Sequence, residues 1–231
     1  LLHFIPLNLL CSYSLFMKLK HFIAIGLASV PTVAIAGSTI NGAGASFPAP
    51  IYQRWFQDYS TQSGNRVNYQ SVGSGAGVRQ FIAGTVDFGA SDEPIKASEV
   101  AKVKRGVVQI PMVGGTIAIA YNKPGCNLKL TQKQVVDIFS GRITDYKQVG
   151  CSAGPMRVAY RADGSGTTFA FTNSLDAFGG WKPGVGKSVK WPTGIGSKGN
   201  EGVAGTIKTA PGAIGYVNTG FVKANKLQAA A

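Results

Sequence analysis

Short apolar runs, each delivered into a loop of small or acidic residues and followed by a helical period, recur along residues 40–220, and this alternation constrains the chain more than any other feature. Residues 66–72 read as a strand, a Gly-rich turn follows, and a helix is expected over about 76–84. Val86 to Ala90 is a short strand ending at Ser91-Asp92, and residues 97–104 have a helical pattern. Residues 115–121 form an apolar run suited to a buried strand. Thr131 to Phe139 suits a helix, with Thr131 and Gln134 at capping-box spacing. Arg157 to Tyr160 is a strand leading into a polar loop and then a helix over about 167–178. The last clear strand is Ala213 to Val217. Ahead of these, Ile51, Trp55 and Tyr59 fall four apart on one face of a helix over 48–63. Strands alternating with helices imply an α/β fold with largely parallel sheets.

The first 36 residues are read as lying outside this fold. Met17-Lys18-Leu19-Lys20, an apolar run and Val33-Ala34-Ile35-Ala36 form the charged start, hydrophobic middle and A-x-A end of a secretory signal, with cleavage expected after Ala36. Residues 1–16 carry no Lys or Arg and are expected to be an extension upstream of the initiator Met17. Removing both segments has chemical consequences. His3 and His21 go with them, so the mature chain holds no histidine, which excludes a Ser-His-Asp triad and any His-ligated metal. Cys11 goes too, leaving Cys126 and Cys151. In an exported chain that even pair is a disulfide candidate, and two separate thiols are the alternative. No metal site or cofactor is implied. Gly150-Cys151-Ser152-Ala153-Gly154 fits G-x-S-x-G, but a nucleophile elbow needs a preceding strand, a following helix and a histidine partner; it is read as a loop.

The formal charge of +13, from 23 Lys+Arg against 10 Asp+Glu, suits an anionic partner, and equally serves solubility. The basic residues are scattered, and no RNA-binding or zinc-finger spacing occurs, which argues against nucleic acid. Four loops could hold a small anion, because the N–H groups at a helix start are unpaired and lie at the positive end of the helix dipole. The first is Gly42 to Pro48, where the Ser46 hydroxyl either caps the next helix or donates to an anion. The second is Gly73-Ser74-Gly75-Ala76-Gly77, which lacks the G-x-G-x-x-G spacing of a dinucleotide site and serves either as a plain turn or as a phosphate approach with Ser74 as donor. The third is Asp92, a helix cap or an acceptor for the proton that phosphate carries and sulfate does not. The fourth is Arg161-Ala162-Asp163-Gly164-Ser165-Gly166-Thr167: a guanidinium fork, a carboxylate placed to orient it, and hydroxyls with free N–H groups opening a helix, or simply a surface turn with a routine cap.

These loops resemble those of the periplasmic phosphate-binding proteins of ABC-type phosphate importers. The resemblance spans about 40–220 and rests on Gly42-Ala43-Gly44-Ala45-Ser46-Phe47-Pro48-Ala49-Pro50, Asp87-Phe88-Gly89-Ala90-Ser91-Asp92 and Arg161 to Thr167, with Lys198-Gly199-Asn200-Glu201-Gly202 and Gly212 to Val217 also similar. The family often has Thr where Ser46 stands. The resemblance implies a two-lobed, type II periplasmic-binding-protein fold closing over its ion, with a first lobe over 37–113 and a second over 114–231. It implies phosphate ligands at Ser46, the Phe47 N–H, Ser74, Asp92, Arg161, Ser165, Gly166 and Thr167, with Asp163 behind Arg161. It further implies a periplasmic, non-catalytic monomer that delivers inorganic phosphate to membrane permease subunits. A secreted phosphate scavenger or adhesin, and more remotely a phosphatase, are the alternatives. Family members continue past this point to complete the first lobe, so that lobe is expected to be incomplete at its C-terminus and the sequence to be truncated.

Overall fold

A computed structural model describes residues 37–231. The signal segment, its cleavage point and the upstream extension lie outside the described residues. The first sheet is parallel, in the order β2 (Arg66–Ser71), β1 (Thr39–Gly44), β3 (Phe88–Ala90). Helix α1 (Ala49–Ser63) joins β1 to β2, and α2 (Ser74–Ala83) joins β2 to β3. An aromatic cluster binds helix to sheet: Tyr52 meets Tyr69 edge-on at 5.2 Å, Phe56 meets Phe88 at 5.9 Å, and Tyr69 stacks on Phe88 at 6.0 Å. Gly42 makes room for it, since a Cβ there would lie 2.0 Å from the Phe88 ring.

The stripe that announces α1 is not the one it buries. Ile51, Trp55 and Tyr59 are 37–44 % exposed, while Ala49 and Tyr52 are buried with Phe56 beside them. The helix is apolar on two sides, and periodicity alone does not say which side meets the sheet. Gly64 ends it in the left-handed region (φ 72°), its N–H returning to Ser60 O.

From β3 the chain crosses through residues 91–116, with one short helical turn, α3 (Ala97–Val100), where a helix to 104 was expected. The second sheet has the order β6 (Ile195–Ser197), β5 (Arg157–Arg161), β7 (Ala213–Asn218), β4 (Ile117–Tyr121), β8 (Gln228–Ala229). It is mixed rather than largely parallel: β5 runs parallel to β6 and β7, but β4 is antiparallel to β7 and β8. Period-2 alternation splits its side chains into two cores. Val158, Ile214, Tyr216 and Tyr121 join Ile138 and Phe139 of α4 (Gln132–Phe139) and Phe171 and Leu175 of α5 (Gly166–Phe178). Ala159, Ala213, Val217 and Ala120 join Val203, Ala204 and Ile207 of α6 (Gly199–Thr209) and Phe221 of α7 (Thr219–Asn225). The second face is built of small residues, which lets α6 lie close against the sheet. The predicted capping box is present: Thr131 Oγ1 accepts from Gln134 N–H, and Gln134 Oε1 accepts from Thr131 N–H at 2.9 Å.

The 150–154 motif is a loop. A 3-10 turn over Tyr146–Val149 ends at Gly150, and the chain then runs to β5. Cys151 is joined there to Cys126 in a disulfide, with Cα atoms 5.5 Å apart, next to the core around Tyr146 and Leu128. Replacing both cysteines by alanine releases a loop closed over a 25-residue separation. About 3 kcal/mol of stability should be lost on chain-entropy grounds, read as a lower urea midpoint with an unchanged far-ultraviolet spectrum.

Candidate anion-binding site

Four helix starts meet where the two sheets face each other. β1 ends at Gly44, and the next turn is pinned from both sides: Ala45 N–H donates to Ala90 O, and Tyr69 OH donates to Ala45 O at 2.7 Å. That fixes Ser46 ahead of α1. Ser46 does not cap this helix, whose N-cap, Pro48, has no side-chain cap; its Oγ instead accepts from Asn200 N–H and from Asn200 Nδ2, both at 3.0 Å. Phe47 follows with its ring directed towards Gly115, where a Cβ would lie 3.0 Å from it.

Ser74 is the first residue of α2, and its Oγ accepts from Gly166 N–H at 3.1 Å, so the starts of α2 and α5 touch. The neighbouring Gly75 N–H donates to Gly164 O at 2.8 Å. Only glycine fits at 166, since a Cβ would stand 2.5 Å from Asp92 Cβ and 2.7 Å from Ser74 Oγ. Asp92 caps nothing. One of its oxygens accepts from Thr167 Oγ1 at 3.2 Å; the other, Oδ1, is buried and has no hydrogen-bond partner among the described residues. Burial pushes its carboxyl above the ordinary 3.8, against the opposing pull of the Thr167 hydroxyl, the Arg161 charge and the Ser74 hydroxyl.

Arg161 ends β5, and the aromatic core holds it there. The Tyr216 ring stacks on Phe171 at 4.4 Å, and its hydroxyl oxygen accepts from Arg161 N–H at 3.1 Å and lies 2.6 Å from Thr168 Oγ1. The guanidinium forks onto Asp163, Nε to Oδ1 at 2.7 Å and Nη2 to Oδ2 at 2.5 Å, as residue spacing suggested. Burial disfavours the Asp163 charge, but the Arg161 bonds and charge and the Gly199 N–H outweigh it and hold the carboxyl below its usual value. Ser165 is tied to its own helix: its Oγ accepts from Thr168 N–H at 3.0 Å, and its N–H donates to Lys187 O. Beyond the expected residues, α6 brings in Asn200, and an ion pair, Lys187 Nζ to Glu93 Oε2 at 2.9 Å, links the segment after Asp92 to the loop beside Ser165.

Ser46, Ser74, Asp92, Arg161, Gly166 and Thr167 are thus brought into one small region, with Ser165 and Phe47 at its margin. Ser46, Ser74, Arg161, Ser165, Thr167 and Asn200 are each no more than 4 % exposed. The region combines positive helix ends, one guanidinium, several hydroxyls and a single carboxylate with a spare oxygen. Such a set suits an oxyanion that accepts hydrogen bonds on most sides and donates one on another. Asn200 is a residue of this region that the sequence reading does not single out: it lies within a quoted motif, in a Gly-rich stretch that gives no helix signal.

The chain matches the family model described as PBP superfamily domain over residues 29–231. It is 45% identical over 227 residues to the phosphate-binding protein PstS of Haemophilus influenzae, covering 91% of this chain and 66% of that protein. To the phosphate-binding protein PstS of Pasteurella multocida it is 46% identical over 205 residues, covering 82% of this chain and 59% of that protein. Among solved structures, a high affinity periplasmic phosphate-binding protein (PfluDING) bound with phosphate superposes with a TM-score of 0.66 at 28% identity, covering 79% of this chain and 57% of that one. The chain therefore spans about 60% of the length of these relatives. With a family match running through both sheets and every loop of the cradle, the chain belongs to the PBP superfamily.

Proposed function

We propose that this chain binds inorganic phosphate outside the cytoplasmic membrane, without chemical turnover, and delivers it to the permease subunits of an ABC importer. Ser46, the Phe47 N–H, Ser74, Asp92, Arg161, Ser165, Gly166 and Thr167 are its ligands, and Asp163 orients Arg161. The two sheets belong to two lobes, 37–113 and 114–231, that close on the ion as a monomer after export through a cleaved signal.

The observation that carries this reading is Asp92: one buried carboxylate oxygen without a partner among the described residues, placed among donors from Thr167, Ser74, Gly166 and Arg161. Near neutral pH phosphate retains a proton to give to that oxygen and sulfate does not, so one group both accepts the right ion and repels the wrong one. The relatives named above are phosphate-binding proteins, which supports the same ligand. Isothermal titration of residues 37–231 with phosphate and with sulfate tests it. Saturable heat is expected with phosphate and little or none with sulfate. No heat from phosphate, in protein whose circular dichroism shows a cooperative melt, overturns the reading.

A further inference from the structure

A hydroxyl can offer an anion its proton or its lone pairs, and only the proton attracts. What decides the direction at Ser46 is a residue that also touches Thr167. Asn200 is fully buried at the start of α6. Its Oδ1 accepts from Asn218 N–H at 2.9 Å, at the end of β7. That bond settles which end of the amide faces the cradle: the oxygen is turned to β7, and the NH2 group to the site. Both amide protons are then used on the two hydroxyls, to Ser46 Oγ at 3.0 Å and Thr167 Oγ1 at 3.3 Å. The Asn200 backbone N–H gives Ser46 Oγ a second bond at 3.0 Å.

A serine oxygen has two lone pairs and one proton. With both lone pairs occupied, Ser46 has only its proton left to give. Thr167 receives one bond from Asn200 and gives its proton to Asp92. We infer that Asn200 is a positioning residue that sets the hydrogen-bond direction at Ser46, locking that hydroxyl as a proton donor and so favouring an anion beside it, while it ties Ser46 to the Thr167–Asp92 pair. It does so without needing to touch the ion. Chained donors also polarise one another, which strengthens what each offers in a buried site.

This role rests on the proposed phosphate site, and the test separates the two. Phosphate is titrated into the wild-type chain, Ser46→Ala, Asn200→Ala and the double variant, with thermal melts of each in the absence of phosphate. Asn200→Ala is expected to weaken phosphate binding about tenfold or more, since it frees the Ser46 hydroxyl to turn. The double variant should bind clearly better than the product of the two single losses predicts, because once Ser46 lacks a hydroxyl that part of Asn200's work is gone. Asn200→Asp keeps the acceptor for Asn218 N–H and replaces the donor NH2 with an oxygen, so it covers the case in which the alanine variant fails to fold. It should melt cooperatively and bind phosphate about a hundredfold or more weakly, and the loss should again shrink in the Ser46→Ala background. Losses that multiply independently, or an Asn200→Asp variant that binds as the wild type does, overturn the role of Asn200 while leaving the phosphate site standing. A wild-type chain that does not bind phosphate overturns both.

Discussion

Arg161→Ala should bind phosphate about a hundredfold to a few thousandfold more weakly than the parent chain. The guanidinium is almost wholly buried and faces two carboxylates, Asp163 directly and Asp92 through its field. Taking it away removes the forked, charge-assisted donor and leaves two acids in a cradle meant for an anion. Breaking a buried pair by deleting one partner costs about 3–5 kcal/mol, and about 1.4 kcal/mol is a factor of ten. Arg161→Lys separates charge from shape: it keeps the cation, loses the planar fork onto Asp163, and should fall between parent and alanine. Titration calorimetry measures the loss in each. Equal affinity of the alanine variant and the parent would remove Arg161 from the site.

Asp92→Asn should weaken phosphate binding and, more tellingly, abolish the preference over sulfate. The amide is an uncharged, weaker acceptor for the ligand's proton, it offers an NH2 donor that a carboxylate lacks, and it does not repel a fully ionised anion. The preference should drop by about two orders of magnitude or more, given that an unpaired buried charge costs several kcal/mol. The same substitution acts on stability in the opposite sense. Burial raises the Asp92 carboxyl in the folded state, so the native chain holds this proton more tightly than the unfolded one. The resulting stability is fully present below the unfolded pKa and is lost as pH rises through the folded pKa. At neutral pH the ionised carboxylate is therefore a burden to the ligand-free fold. Asp92→Asn should melt at a higher temperature than the parent without phosphate, and should flatten the acid side of the stability profile. A variant that melts lower at neutral pH and still rejects sulfate would contradict both halves.

What the residues disclosed beforehand divides along physical lines. Loops that end a strand and open a helix were legible at Ser46, Ser74 and Arg161–Thr167, because backbone geometry at such a junction is dictated locally by glycine and hydroxyl residues; Asp92 ends a strand but opens no helix. From α1 to Phe178 the strands and helices were legible from their periods, except that α3 stops at Val100; β1 was not, because Gly42 and Gly44 make its end read as a loop. α6 was not: three glycines at 199, 202 and 205 dilute its propensity, and it persists because Val203, Ala204 and Ile207 pack on a small-residue sheet face. β4 was legible as a strand but not as antiparallel to β7, since direction is a property of the pairing and leaves no mark on the strand itself. The outward stripe of α1 misled for a related reason, as two apolar faces compete and only the aromatic cluster of the partner sheet decides. Asn200 was invisible as a director of protons because its task depends on Asn218 and Ser46, distant in sequence and joined only by the fold.

The crossing at residues 91–116 is the only passage of the backbone between the two sheets among the described residues. Hydrogen bonds made across the cradle, from Gly75 to Gly164, from Gly166 to Ser74, from Asn200 to Ser46 and from Thr167 to Asp92, together with the Lys187–Glu93 ion pair, tie the two halves of residues 37–231 to each other. Recognition groups and alignment groups are in large part the same atoms, so changes there should register twice, once as weaker capture of the ion and once as looser registration of the halves that capture it.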